Sequence, residues 1–278
     1  MIIDFHTHTF PDKIASLAIE KLKAASHTRA FTGGTDGELL ASMESCGIEK
    51  SVVLPVATNP EKIPHINDIS AEKNKSGKLI YFAAMHPDCE NPRDELCRIR
   101  DLGIKGIKLH PVYQDIDFDD IRTLKILEYA EELGLITVTH AGLDIGFPGV
   151  ERCTPKMIKN AVSSIQPKKL VLAHMGAWKQ WKDAADLLPG SGLYIDTSFS
   201  IGKMVQDTPY YSDAELQLLN FDEAADIISA FGDDYVLFGT DSPWSDQKTA
   251  IDDILGLSIA DDVKEKILHK NAESLLEL

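Results

Sequence analysis

The sequence predicts an α/β fold of the (β/α)8 TIM-barrel type, and three observations carry that prediction. Eight short apolar runs recur along the chain, at residues 2–5, 51–56, 79–84, 104–109, 136–139, 170–173, 193–197 and 236–239. Stretches with apolar residues at helical spacing fall between them. The runs are nearly continuous in apolar character, as helix-covered parallel strands are, and a count of eight favours a closed ring over an open sheet. Residues 1–278 are expected to form one domain, because 44% hydrophobic residues supply a core of that size.

The elements follow in order. The first run reads Ile2-Ile3-Asp4-Phe5-His6-Thr7-His8. Residues i and i+2 of a strand face the same way, so His6 and His8 reach one point at its C-terminal end. Amphipathic helices are expected from Lys13 to Ala25 and from Asp36 to Cys46. The third run leads into Ala84-Met85-His86-Pro87, where His86 reads as a loop residue. After a helix over 94–101, the fourth run closes as Gly106-Ile107-Lys108-Leu109-His110-Pro111, with Lys108 and His110 on one face. Helical spacing over 119–133 precedes Ile136-Thr137-Val138-Thr139-His140, and a helix over 155–165 precedes Leu170-Val171-Leu172-Ala173-His174. Further helices are expected over 178–188 and 221–231 before the last run, Val236-Leu237-Phe238-Gly239-Thr240-Asp241. Gly47, Gly103, Gly134 and Gly232 each follow a helix, where a left-handed cap would stand. His27, His65 and His269 lie in helical or loop context and receive no site role.

A lone histidine at a strand end is ordinarily a hydrogen-bonded structural residue. Five ligand-type residues, each ending a strand, are a different matter. In parallel barrels the catalytic groups come from the C-terminal ends of several strands, and His6, His8, His140, His174 and Asp241 occupy that end. Lys108 reads equally as an ion-paired barrel lysine or as a substrate-binding cation.

Charge narrows the partners. With 28 Lys+Arg against 44 Asp+Glu the net charge is −16, which repels polyanions, so nucleic acid and acidic membrane are not expected partners. No apolar stretch approaches bilayer-spanning length, and the N-terminus lacks a basic segment before a long apolar one, so a cytoplasmic protein is expected. Cys46, Cys89, Cys97 and Cys153 show no C-x-x-C spacing and read as reduced thiols, Cys153 alone lying in a loop near the expected site.

These residues together resemble the amidohydrolase superfamily, in particular its amidohydrolase-related (type 2) branch. The similar features are Asp-x-His-x-His at 4–8, Phe10-Pro11 after it, His140, His174, Phe238-Gly239-Thr240-Asp241-Ser242-Pro243-Trp244, and a closing helix Asn271-Ala272-Glu273-Ser274-Leu275-Leu276. The resemblance implies a distorted barrel holding a divalent metal, with His6, His8, His140 and Asp241 as its ligands. It also implies His174 facing the substrate as acid/base or carbonyl-polarising group. Two-metal members place a carboxylated lysine at the end of strand four, whereas this chain ends that strand on His110, so one ion is expected.

Three imidazoles and a carboxylate suit zinc, with manganese or iron as alternatives, and leave a position for water or substrate. Metal-bound water would lose a proton near neutral pH, Asp241 would take it, and His174 would bond the developing oxyanion. Hydrolysis of a small carbonyl compound such as an amide or lactone is therefore the first reading. Non-oxidative decarboxylation of a small aromatic or unsaturated acid on the same site is its alternative. A nuclease reading is opposed by the acidic charge and by Gly106-Ile107-Lys108-Leu109-His110 standing where a Gly-Glu motif is usual. A purely structural metal site would not need His174 beside an open position. An anionic or polar small molecule is the expected partner, with Lys108, His110, Arg152 and Trp178 as its candidate contacts. For Arg152 a surface salt bridge is the commoner fate. The oligomeric state, including a homo-oligomer, is left open.

Overall fold

The computed structural model describes residues 1–278, Ser76 by its backbone alone. Its strands are β1 (Ile3–Thr7), β2 (Lys50–Val53), β3 (Leu79–Tyr81), β4 (Ala83–Ala84), β5 (Gly106–Leu109), β6 (Ile136–Thr139), β7 (Leu170–Leu172), β8 (Tyr194–Asp196) and β9 (Val236–Leu237). Every pairing is parallel, in the orders β1-β2-β3 and β4-β5-β6-β7-β8-β9. Nine segments make eight barrel staves, because β3 and β4 are the halves of the expected 79–84 run. Phe82 interrupts it, donating its N–H to Val53 O at 3.0 Å while Ala83 and Ala84 pair with β5.

The ring closes between the first and last staves. Phe5 N donates to Phe238 O at 2.7 Å, Asp241 N to His6 O at 2.8 Å, and Thr7 bridges Ser242. This is the (β/α)8 barrel that the alternation of runs predicts. The register of β1 shifts between Asp4 and Thr7. Such a bulge lets neighbouring residues share a face. Phe5 joins the inner apolar cluster with Val52, Phe82, Val138 and Leu237, while His6 beside it reaches Lys108 and Asp196.

Helices cover the outside. Leu39, Met43, Leu96, Ile99, Ile126, Leu127, Ile158 and Ile228 pack on the outer strand residues Val53, Ile107, Leu109, Leu172 and Ile195. The expected helices stand at Asp12–Ser26, Asp36–Cys46, Pro92–Asp101, Ile121–Glu132, Pro155–Ile165 and Phe221–Phe231. The expected 178–188 helix is shorter, Trp181–Leu187, because Trp178 is drawn into a parallel bridge with Gly142. Only a glycine fits at 142, since a Cβ there would stand 2.2 Å from Trp178 N. Ile63–Lys73 is a helix that periodicity does not reveal: Pro64 is tolerated in its first turn, and two of its three buried residues, Asn67 and Ser70, are polar. Gly47, Gly103 and Gly134 take positive φ after their helices as expected, whereas Gly232 has ψ 136° and is not a left-handed cap. The four cysteines are free, and Cys153 is fully buried with its thiol pushed up by that burial. No helix among the described residues is long and apolar enough to cross a membrane.

Candidate active site

Closure of the ring puts the ends of β1 and β9 side by side, and with them His6, His8 and Asp241. His6 Nε2 stands 3.1 Å from His8 Nε2, and Asp241 Oδ1 lies 3.5 Å from the first and 3.1 Å from the second. The separation of these two segments is fixed by Asp4, which is fully buried. Its Oδ1 accepts from His6 N at 3.2 Å and Thr240 N at 3.0 Å, and its Oδ2 from Thr240 Oγ1 at 2.6 Å and Gln247 Nε2 at 2.8 Å. Burial raises the Asp4 carboxyl to about 7 against the pull of these donors. Asp241 and His174 both stand at positive φ, 63° and 62°, a backbone state uncommon outside glycine and concentrated at functional sites.

The remaining ring nitrogens decide what the group can hold. His6 Nδ1–H donates to Asp196 Oδ2 at 2.8 Å, and His8 Nδ1–H to the Leu54 carbonyl at 2.8 Å. In neutral rings both protons are thereby placed on the outer nitrogens, and two lone pairs face each other at 3.1 Å beside a carboxylate oxygen. The Lys108 ammonium touches only the His6 atom of that set, at 3.3 Å, and a divalent cation would engage all three donors, in the manner of carboxylate-oriented metal histidines. Burial, followed by the neighbouring Lys108, pushes His6 down to about 3, so it is neutral. Burial opposes ionisation of Asp241, yet the His8 and His6 imidazoles beside it hold it down at about 2. The residues fit a divalent ion.

His140 is not brought into this group. Its Nε2–H donates to Leu143 O at 3.0 Å, and its Nδ1 meets His174 Nε2 at 3.1 Å. His174 Nδ1–H donates to Ser198 O at 3.0 Å, which leaves Nε2 as its inward atom, and burial lowers its pKa. The rings of His6 and His174 lie 5.2 Å apart, so His174 stands next to the ion-binding group. A second group forms from His110, His140 and Asp144. His110 stacks on His140 with centroids 4.3 Å apart at 12°, and its Nδ1 accepts from Tyr113 N.

The other expected contacts divide. Lys108 is 1% exposed, its Nζ 3.3 Å from His6 Nε2, and burial pushes it down to about 8 against the pull of Asp196 and Asp241. Trp178 is buried above the strand ends, donating Nε1–H to Phe199 O at 3.1 Å and packing with Met204 and Leu216. Arg152 is a correction to the expectation of a substrate clamp. Its guanidinium spans Asp115 at 2.6 Å and Asp117 at 2.9 Å on the protein surface, so its charge is already matched.

Two acids escaped the sequence reading. Asp196 is fully buried at the end of β8, where it orients His6 and accepts from His174 N at 3.0 Å, Ser198 N at 3.1 Å and the Ser198 hydroxyl. Burial opposes its ionisation, but the His6 ring beside it holds it below the usual carboxylate range. A signal existed, since it ends a run as His140 and His174 do. Asp144 lies four residues after His140, and burial raises it to about 6. The loop signal around Arg152 and Phe147 pointed past it.

A model of the amidohydrolase family matches residues 3–278. The chain belongs to the amidohydrolase family. A search by sequence among curated proteins returns no match. Among solved structures, 5-carboxyvanillate decarboxylase from Sphingomonas paucimobilis superposes with a TM-score of 0.69 at 17% identity, covering 100% of this chain and 99% of that one. A dihydroxybenzoic acid decarboxylase from Polaromonas sp. JS666, with bound manganese and the inhibitor 2-nitroresorcinol, gives 0.68 at 17% identity, covering 100% and 97%. A probable 2-pyrone-4,6-dicarboxylic acid hydrolase from Acinetobacter baumannii with citric acid bound gives 0.65 at 16% identity, covering 100% and 99%. These likenesses show the TIM-barrel fold. Amidohydrolase membership and such neighbours mark the chain as an enzyme, with His6, His8 and Asp241 as a candidate metal site.

Proposed function

We propose that the chain is a metal-dependent, non-oxidative decarboxylase of a small aromatic or unsaturated carboxylic acid. The observation that carries this reading is Lys108. A buried ammonium costs several kcal/mol unless it is paired, and the one side-chain hydrogen-bond contact of Lys108 among the described residues is His6 Nε2, Asp196 and Asp241 acting on it from beyond ion-pair distance. A bound substrate carboxylate would give it a direct ion pair at the strand ends. Decarboxylases among the solved structures of this fold support the same reaction, which moves hydrolysis from first reading to second.

A divalent ion held by His6, His8 and Asp241 would supply positive charge that orients and polarises the acid. Breaking the bond to the carboxyl carbon releases carbon dioxide and leaves an electron pair on the substrate carbon, which takes up one proton. His174 is the group we propose for this transfer: with its Nδ1–H fixed on Ser198 O, its Nε2 would take up a proton from solvent and pass it to the substrate carbon. Hydrolysis of a lactone or related carbonyl is kept as the second reading because the hydrolase neighbour covers the chain equally.

The test is a panel of hydroxybenzoates, unsaturated acids, lactones and N-acyl compounds with the manganese- or zinc-loaded enzyme. Carbon dioxide released in step with substrate loss is the expected result. Turnover of lactones or amides with no carbon dioxide overturns it in favour of hydrolysis.

A further inference from the structure

The groups placed to meet a substrate lie under cover. Lys108, His140 and His174 are buried, none of them more than 6% exposed. Against His140 stands Leu143, whose carbonyl takes the His140 Nε2–H and whose own N–H donates to Trp178 O at 3.0 Å. Leu143 and Trp178 pack with Met204, Tyr211 and Leu216 in a small apolar cluster separate from the two barrel cores. The last three residues all come from the chain between β8 and the helix Phe221–Phe231.

That stretch folds back on itself as a two-stranded ribbon. Met204 N donates to Leu216 O at 2.9 Å and Leu218 N to Gly202 O at 3.0 Å. Of the described residues 203–218, Met204 and Leu216 alone are buried. A ribbon with so few buried anchors stands at the low end of local stability. Its base and its tip are held differently. At the base, Lys179 Nζ donates to the carbonyls of Glu215 at 3.3 Å and Gln217 at 2.5 Å. The tip, residues 205–212, reaches across to the end of the helix Asp12–Ser26. There Arg29 N donates to Val205 O at 2.8 Å, Asp207 N to His27 O at 3.0 Å and the Tyr211 hydroxyl to Ser26 O at 2.8 Å, while the His27 ring stacks on Tyr210 at 3.6 Å. This seat is shallow, since Tyr210 is 62% exposed and a hollow of about 180 Å³ lies between Lys23, His27 and Asp207. It also stands at the barrel mouth: a Cβ on Gly146 would lie 3.9 Å from both Ala25 and Tyr113, whose ring is edge-on to His110.

We infer that this ribbon is a gate over the candidate active site. Its tip unlatches from residues 26–29 and carries Tyr211 off Leu143 and Trp178, which opens the strand ends to small molecules, while Lys179 keeps the base in place. The gate does not depend on which reaction follows.

A reversible lock tests it. Thr28 and Gln206 face each other in an antiparallel bridge, flanked by the Arg29–Val205 and Asp207–His27 hydrogen bonds. That pattern marks the closer type of cross-strand pair, with Cα atoms about 4.5 Å apart and within reach of a disulfide. Thr28→Cys/Gln206→Cys in the full chain should therefore close a bond across the latch on oxidation and release it with dithiothreitol. In the parent, the amide hydrogens of Arg29 and Asp207 are expected to exchange about a hundredfold or more faster than those of β6 and β7, and closing the lock to slow them by about tenfold or more. With manganese loaded, the closed lock is expected to slow extraction of the ion by EDTA about tenfold or more, and reduction to restore the parent rate. The parent, with its four free cysteines, is the control for the oxidant. Strand-like protection of the two amides in the parent, which needs no variant to measure, overturns the gate. So does an extraction rate that the closed lock leaves unchanged. A chain that holds no manganese sinks the candidate metal site and leaves the exchange measurement to decide the gate.

Discussion

Two clusters built from the same residue types, His6/His8/Asp241 and His110/His140/Asp144, stand in one barrel with different hydrogen-bond partners behind their rings. In the first, carboxylate and carbonyl acceptors behind the rings draw the protons outward and leave lone pairs converging. In the second, a backbone N–H beside His110 leaves that ring's proton on Nε2, and the Leu143 carbonyl takes the His140 Nε2–H, turning the His140 Nδ1 lone pair toward His174. Residue identity alone therefore does not make a ligand. What stands behind the ring does.

The contrast can be broken most severely at the first cluster. His6→Ala removes one of three converging donors, so metal per chain, measured by elemental analysis after dialysis, is expected to fall by about tenfold or more and activity with it. Retention of a full equivalent would mean the ion sits elsewhere. His174→Gln should lower kcat by about 10²–10⁴, the span of a lost acid/base group, while metal content holds. Loss of metal in that variant would make His174 a ligand.

Asp196→Asn is the sharpest probe of the comparison, because it changes only what lies behind His6. An amide can offer that ring a donor instead of an acceptor, and metal affinity is expected to drop about 10–100-fold with the barrel intact by circular dichroism. Lys108→Met should raise KM for anionic substrates by about tenfold, the scale of one partly screened charge contact. An unchanged KM would remove Lys108 from substrate binding. The smallest effect is reserved for Arg152→Met, whose surface ion pairs are worth about 0–1 kcal/mol, so kcat/KM should stay within about twofold.

Much of this was legible in the sequence for a definite reason. Buried parallel strands print themselves as apolar runs, and a barrel places its working residues at one end of each, so His6, His8, His174 and Asp241 could be marked before any coordinate. Lys108 was marked by the same alternation. What period-two reasoning could not supply is which strand ends are neighbours in three dimensions and which atom each ring turns inward. His140 shows the limit, since it ends its strand as expected while its Nδ1 turns to His174 Nε2, beside rather than within the group of His6, His8 and Asp241. The bulge in β1 and the interruption at Phe82 were hidden too, because each adjusts register without altering the apolar pattern. Ile63–Lys73 was missed because a helix that buries Asn67 and Ser70 leaves little apolar stripe to detect.

The seam where β1 meets β9 has one more consequence. Asp4 and Thr240, bonded there, are 236 positions apart in the chain. The candidate ion site lies across that seam, so it comes into being only when the last stave has docked against the first. An ion that binds there favours the closed ring over any form with the seam open, by mass action. Contacts of such long sequence separation are the slow ones to form. Metal uptake followed in time during refolding would thus act as a clock for completion of the barrel, registering its final join and none of the earlier ones.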